Sequence, residues 1–63
     1  MIRIKEERLK NQMSQEELAR RSGVSRATIS KLENGDENQV ITTATMAKIA
    51  RALDKTIGDI FFA

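Results

Sequence analysis

The sequence predicts an all-α fold, a compact bundle of five helices. Apolar residues recur at helical spacings of three and four, and no proline is present, so glycines and capping side chains must end the helices. The 63 residues, 40% hydrophobic and 32% charged, suit one compact soluble domain and are too few for two. We therefore expect one domain over residues 1–63.

Helix one is expected over roughly residues 2–12. Its inner face is a helical stripe of three apolar residues, Ile2, Leu9 and Met13, with Ile4 and the stem of Arg8 beside it. Helix two is expected to begin at Gln15, after a capping box formed by Ser14 and Glu17. In this box the Ser14 hydroxyl accepts from the Glu17 amide, and the Glu17 carboxylate accepts from the Ser14 amide.

Helices two and three are expected to meet at a glycine turn. Leu18, Ala19 and Ser22 form a narrow inner face on helix two, and Ala19 has to be small because helix three crosses close to it. Gly23 follows where a left-handed backbone conformation costs a residue without Cβ little. The chain therefore turns at Gly23.

Helix three is expected over about residues 26–33, capped by Ser25 and stopped by Asn34 and Gly35. Its position is fixed by apolar anchors that face inward: Val24, Ile29 and Leu32. The opposite side of the helix is wholly polar or small, so it is expected to face outward.

Two more helices are expected after a loop at residues 36–42. Thr42 or Thr43 caps helix four, and Thr56 caps a short helix five. The inner face of helix four has apolar residues at spacings of three and four: Met46, Ile49, Ala50 and Leu53. The apolar residues of helix five are expected to close the core and to leave one terminal aromatic: Ile57, Ile60, Phe61 and then Phe62.

Composition argues against an enzyme and against a metal or cofactor site. The chain has no cysteine and no histidine, so thiolate chemistry, disulfides and the commonest general base are absent. The acidic neighbours at residues 6–7 and 16–17 lie about 100° apart on a helix and diverge. No signal peptide and no run of 18 apolar residues occurs, so we expect a cytoplasmic protein with no membrane contact, encoded by a bacterium or a phage.

Positive charge is concentrated in the first half of the chain. Residues 1–33 contain eight Lys or Arg against five Asp or Glu, whereas residues 34–63 contain three against four. A basic face attracts nucleic-acid phosphates, although a surplus of this size is also typical of an ordinary solvated surface. Charge alone therefore does not decide between these interpretations.

The segment SQEELARRSGVSRATISKLENG, residues 14–35, resembles the helix-turn-helix motif of the Cro and phage-repressor type, the XRE family. The segment TMAKIARALDKTIGDIFF, residues 45–62, is similar to the fourth and fifth helices of that family. The resemblance covers nearly the whole chain. It implies a λ-repressor-like bundle in which helices two and three bind double-stranded DNA.

The resemblance also implies roles for individual residues. Base contacts fall on positions at the start and outer side of helix three: Arg26, Ala27 and Lys31. Backbone or secondary contacts fall on small or polar residues around them: Gln15, Ser25, Thr28, Ser30 and Asn34. Each of these has a plain alternative as a cap or a solvated side chain. The family also pairs the positions of Arg8 and Glu33, which predicts a structural ion pair.

One stretch departs from the family pattern. Some phage repressors have basic residues after helix three, whereas Asp36 and Glu37 here would repel phosphates. Neutral donors remain in the same loop: Asn38, Gln39, Thr42 and Thr43. Phosphate contacts from this loop are therefore not expected to be strong.

Two functions remain open on the sequence. The first is a sequence-specific DNA-binding regulator, expected to be a repressor, that acts as a homodimer on a palindromic operator without a small-molecule effector. Its expected dimer interface is the apolar C-terminal group: Ile57, Ile60, Phe61 and Phe62. The second is a protein-binding module on the same fold, such as an antitoxin or the detached DNA-binding part of a larger regulator.

Overall fold

The computed structural model describes residues 2–36 and 40–62. Within these ranges the chain forms five α-helices and no strand, which confirms the predicted all-α fold. Their bounds are α1 Ile4–Lys10, α2 Gln15–Ser22, α3 Arg26–Glu33, α4 Thr43–Ala52 and α5 Ile57–Phe61. Glu37, Asn38 and Gln39, to which the sequence assigned phosphate repulsion or hydrogen-bond donation, lie outside the described residues, as do the two terminal residues of the expected domain.

The buried face of α1 differs from the predicted stripe. Ile4 is fully buried, and Glu7 and Arg8, three and four residues later, are buried with it. Ile2 and Leu9 were predicted to face inward, but they are 40% and 55% exposed. Leu9 lies five positions after Ile4 and so points away from the helical face that begins at Ile4.

Ser14 caps α2, but only one of the two hydrogen bonds of the predicted capping box is present. The Ser14 hydroxyl accepts from the Glu17 amide at 3.0 Å, as expected. The Glu17 carboxylate does not return to the Ser14 amide, because it accepts hydrogen bonds from Arg20 and Arg21 one turn further along the helix. A complete capping box is present at α5, where Thr56 and Asp59 exchange both bonds at 3.1 Å.

The turn between α2 and α3 forms as predicted around Gly23. Gly23 has φ +73°, in the left-handed region, and its amide donates to the Ala19 carbonyl at 2.9 Å. Ser22 is buried beside it, and its hydroxyl accepts from the Val24 amide at 3.2 Å. The turn is thus held by hydrogen bonds on both sides of the glycine.

The three other helices that end at a residue of positive φ are α1, α3 and α4, and only α3 does so at a glycine. After α3 the Asp36 amide donates to the Lys31 carbonyl at 3.0 Å, with Gly35 at φ +74°. Gln12 after α1 and Asp54 after α4 adopt φ +56° and +58° in equivalent positions. Neither residue is a glycine, so the sequence did not predict a left-handed conformation at these two helix ends.

Every helix contributes to one apolar core. Its members are the apolar anchors predicted for helices two to five, together with one residue of α1 and one of the following turn: Ile4, Met13, Leu18, Val24, Ile29, Leu32, Ile49, Ala50, Leu53, Ile60 and Phe61. Ala19, Met46 and Ile57 pack against the core while partly exposed. Within the described residues, no helix has the length and apolar character that a membrane crossing requires.

Candidate nucleic-acid interface

Helix α3 lies against α1 and α2 with one side and faces solvent with the other. Its inner side chains, Ile29 and Leu32, are 0% and 5% exposed. The three residues predicted to contact bases are all exposed: Arg26, Ala27 and Lys31. We call these three residues the outer face of α3. The core thus fixes the helix while leaving this face available.

The start of α3 is closed by two hydroxyl groups. The Ser25 hydroxyl accepts from the Thr28 amide at 3.2 Å and donates to the Thr28 hydroxyl at 2.8 Å. The Thr28 hydroxyl, which accepts this bond, keeps its own hydrogen for another acceptor. The Ser25 hydroxyl therefore serves as the helix cap. The Thr28 hydroxyl is the one that can still donate a hydrogen bond to a phosphate.

The remaining residues predicted to contact the DNA backbone lie on α3, at its C-terminal end and at the start of α2. Gln15, the first residue of α2, is half-buried, and its Nε2 donates to Glu33 Oε1 at 3.2 Å. A side-chain amide nitrogen has two hydrogens, so one remains for a phosphate. Asn34 is exposed as the C-cap of α3, and Ser30 is half-buried. Ser30 and Asn34 thus belong to α3 and its C-cap, and Gln15 contacts α3 through Glu33, while their contacts with DNA stay a prediction.

Arg8 and Glu33, expected as an ion pair, lie in contact between α1 and α3. Arg8 Nε is 2.8 Å from Glu33 Oε2, and Arg8 Nη2 is 3.0 Å from Glu33 Oε1. Arg8 Nη1 also donates to the Met13 carbonyl at 2.7 Å, which fixes the turn that leads into α2. The Arg8 and Glu33 side chains are only 10% and 3% exposed. Together with Gln15 they connect the first three helices.

The pKa of Glu33 is shifted by this environment. Burial by itself raises the pKa, but hydrogen bonds from Arg8 and Gln15, aided by the charges of Arg8 and Lys5, outweigh burial and hold the pKa below its ordinary value. The same pairing raises the pKa of Arg8. Both groups are therefore charged at neutral pH.

A second ion pair connects α2 with the outer face of α3. Arg26 Nη1 donates to Glu16 Oε1 at 2.9 Å. Glu16 is a functional residue that the sequence did not reveal, because as a neighbour of Glu17 it was considered only as part of a catalytic pair. The available signal was the opposite charge of two residues in the first turns of consecutive helices, Glu16 in α2 and Arg26 in α3.

The other basic residues of the motif differ in how far they are neutralised. Arg20 and Arg21 both bind the Glu17 carboxylate, Arg21 through its Nε at 2.6 Å, so neither is a free cation. Hydrogen bonds, first from Arg21 and then from Arg20, lower the pKa of Glu17. Among the described residues Lys31 forms no ion pair, and it is exposed on the outer face of α3.

The four residues expected at a dimer interface are not equally accessible. Ile60 and Phe61 are 0% and 6% exposed, because they close the core of their own chain. Their assignment to an interface is therefore corrected. Phe62 is 73% exposed and Ile57 is partly exposed, so these two are the residues that remain available to a partner.

The comparisons with known proteins agree with this geometry. A helix-turn-helix family model matches residues 4–60. An uncharacterized HTH-type transcriptional regulator of Archaeoglobus fulgidus is 52% identical over 59 residues, which cover 94% of this chain and 80% of that protein. A second uncharacterized HTH-type transcriptional regulator of the same organism is 48% identical over 59 residues, covering 94% and 81% of the two chains. No solved structure matches this chain.

Proposed function

This chain belongs to the helix-turn-helix family of the Cro and phage-repressor type, and from that premise we propose that it is a sequence-specific regulator of transcription that binds double-stranded DNA. Residues 1–63 then form one DNA-binding domain. Proteins of this family bind DNA without catalysing a reaction, and the chain is not an enzyme. The bacterial or phage source and the cytoplasmic location expected from the sequence remain predictions.

The single observation that carries the proposal is the two-sided character of α3. The buried side is anchored by Ile29 and Leu32, whereas the opposite side has only polar or small residues. A helix held in this way can enter the major groove, where each base pair presents a distinct set of donors and acceptors.

We assign base contacts to the outer face of α3. Arg26 has the paired N–H donors that match guanine O6 and N7, and Lys31 supplies a single cationic donor to the same atoms. Ala27 has only a methyl group and so suits the methyl group of thymine. Such contacts make affinity depend on sequence.

We assign the DNA backbone contacts to the groups that flank α3. Gln15 lies at the N-terminus of α2, where free amides and the helix dipole favour a phosphate. Thr28 supplies a free hydroxyl hydrogen, and Asn34 supplies an exposed amide. These contacts position the protein without reading sequence.

The proposed assembly is a homodimer that acts as a repressor on a palindromic operator. The support is the aromatic side chain of Phe62, which is 73% exposed and which a second copy would cover, with the partly exposed Ile57 at the start of the same short helix. Two-fold symmetry would place the two α3 helices in half-sites about 34 Å apart, one turn of the duplex.

Selection of bound duplexes from a random-sequence pool tests the proposal. We expect enrichment of one site with two inverted half-sites whose centres are about one helical turn apart. Lys31→Ala should change the enriched sequence, while Lys55→Ala, which removes an exposed lysine between α4 and α5, should not. A protein that retains no duplex at low salt, or that copurifies with a second polypeptide and binds only that, would contradict the proposal and favour the protein-binding alternative.

A further inference from the structure

Glu16 on α2 reaches across the turn to Arg26 at the start of α3. Arg26 Nη1 and Glu16 Oε1 are 2.9 Å apart, and the two side chains remain 59% and 73% exposed. Exposed ion pairs contribute little to folding stability because water screens them and both side chains lose entropy. We therefore expect this contact to affect DNA binding by Arg26 more than folding stability.

The contact restricts the guanidinium of Arg26. It uses Nη1, and within the described part of the chain the Nε and Nη2 hydrogens have no partner. Two adjacent N–H groups of one guanidinium match the O6 and N7 acceptors of guanine. While it is paired with Glu16, Arg26 therefore presents its Nε and Nη2 donors in one fixed position. An unpaired arginine side chain adopts many rotamers and can reach any nearby phosphate. We call the contact with Glu16 the tether of Arg26.

Glu16 also changes the charge that a duplex meets. Glu17 is neutralised by Arg20 and Arg21, which leaves Glu16 with Arg26 as its counterion among the described residues. If Arg26 leaves Glu16 to bind a phosphate, the carboxylate faces the DNA backbone uncompensated. Binding to a phosphate is thus penalised more than binding to a base that Arg26 reaches while it is still paired.

We propose that Glu16 is a specificity-determining residue, which restricts Arg26 to a guanine at one fixed position of the bound site and weakens binding to unrelated DNA. The inference rests on the proposed function. Glu16 thereby joins the residues of α3 that determine sequence specificity, although it does not itself contact a base.

The test compares wild type with Glu16→Gln on three duplexes: the selected site, the same site with the guanine read by Arg26 replaced, and an unrelated sequence. The position of that guanine is defined by the preference that Arg26→Ala loses. In Glu16→Gln we expect the preference for guanine there to fall by about fivefold, because a neutral amide oxygen holds the guanidinium less firmly than a carboxylate does. We expect affinity for the unrelated duplex to rise by about two- to fivefold, because one repulsive charge is removed.

Glu6→Gln is the matched control. Glu6 pairs with Arg3 at 2.9 Å on the exposed side of α1, so this variant removes the same charge and a similar ion pair away from α3. It should leave the guanine preference unchanged. In an Arg26→Ala background Glu16→Gln should no longer alter base preference at that position, which a general loss of structure would not reproduce.

The outcomes separate the two proposals. If wild type is selective and Glu16→Gln keeps the full guanine preference, the role of Glu16 is wrong and the proposed function stands. If Glu16→Gln changes base preference by the same amount in wild type and in Arg26→Ala, Glu16 does not act through Arg26, and the proposed role of Glu16 is wrong. If wild type binds no duplex, or binds all duplexes alike, both proposals are overturned.

Discussion

Arg8 and Glu33 connect the first helix to the third through two parallel hydrogen bonds of 2.8 and 3.0 Å. The third nitrogen of the same guanidinium holds the Met13 carbonyl, and Gln15 donates to the same carboxylate. The position of α3 therefore depends on a polar cluster as well as on the apolar core. The sequence pairs the two residues only through a family resemblance, because they are far apart in the chain.

Removing one partner of this pair should be costly. We expect Glu33→Ala to lower the free energy of unfolding by about 2–4 kcal/mol, because it leaves the buried Arg8 guanidinium and the Gln15 amide without their acceptor. Urea denaturation followed by circular dichroism measures the change. Glu6→Ala breaks an exposed pair of similar length and should cost less than about 1 kcal/mol. Equal losses in the two variants would contradict the structural role of the cluster.

The pair should also make stability depend on pH. The folded-state pKa of Glu33 lies below its ordinary value of 4.5, so its stabilising contribution is present above about that pH and is lost as the pH falls through the folded-state pKa. We expect Glu33→Gln to be less stable than wild type at neutral pH, with a difference that narrows as the pH falls below 4.5. Urea denaturation across this range measures the difference, and a gap that stays constant would contradict the assignment.

Gly23 and Gly58 should respond in opposite directions to the same substitution. A Cβ on Gly23 meets nothing within 4 Å, so Gly23→Ala suffers only from φ +73°, and we expect a loss of about 1 kcal/mol in unfolding free energy. Gly23→Asn should lose less, because asparagine tolerates this conformation better. Gly58 lies within α5 without a positive φ, so Gly58→Ala should gain about 0.5–1 kcal/mol. Thermal or urea denaturation of the three variants measures these changes. A lower free energy of unfolding for alanine at both glycines would contradict the prediction and indicate steric contact at Gly58.

Local patterns in the sequence predicted most of the fold because most of the fold is locally determined. The bounds of α2 and α3 and the caps at Ser14, Ser25 and Thr56 follow from side chains within a few residues of each helix end. The prediction failed for α1, where Leu9 looked like a core residue. Its helix buries Glu7 and Arg8 instead, and Arg8 is tolerated there because Glu33 on a distant helix compensates its charge.

The site was predictable in its exposed residues and less so in their partners. Helical periodicity places Ala27 and Lys31 opposite the apolar anchors of α3, and the family resemblance adds Arg26 at the start of the helix; the structure has all three exposed. Periodicity does not specify the contact of Arg26 with Glu16, which depends on the angle between two helices. That angle is set by the tertiary packing around the turn.

Substitutions on and beside α3 should separate base readout from backbone contact. We expect Arg26→Ala and Lys31→Ala to change base preference at single positions of the selected site, each by about 1–3 kcal/mol of discrimination. Gln15→Ala should weaken binding to all duplexes by a similar factor, because a phosphate contact does not depend on sequence. Affinities for a panel of single-base variants at two salt concentrations measure both effects. If the α3 variants kept the wild-type preference, the assignment of the outer face would be wrong.

Phe62 should control self-association. It is 73% exposed and follows Phe61, which is buried in the core, so its side chain is free to be covered by a second copy. We expect Phe62→Ser to weaken the dimer by about tenfold or more, since burying an aromatic side chain contributes about 1.5–3 kcal/mol, while the unfolding transition of the monomer changes little. Sedimentation equilibrium measures the dissociation constant. Leu9→Ser removes another exposed apolar side chain, on α1, and should leave association unchanged. If the two variants weakened the dimer equally, or if wild type were monomeric at high concentration, this end of the chain would not be the interface, and the two-fold operator proposed here would need another source of symmetry.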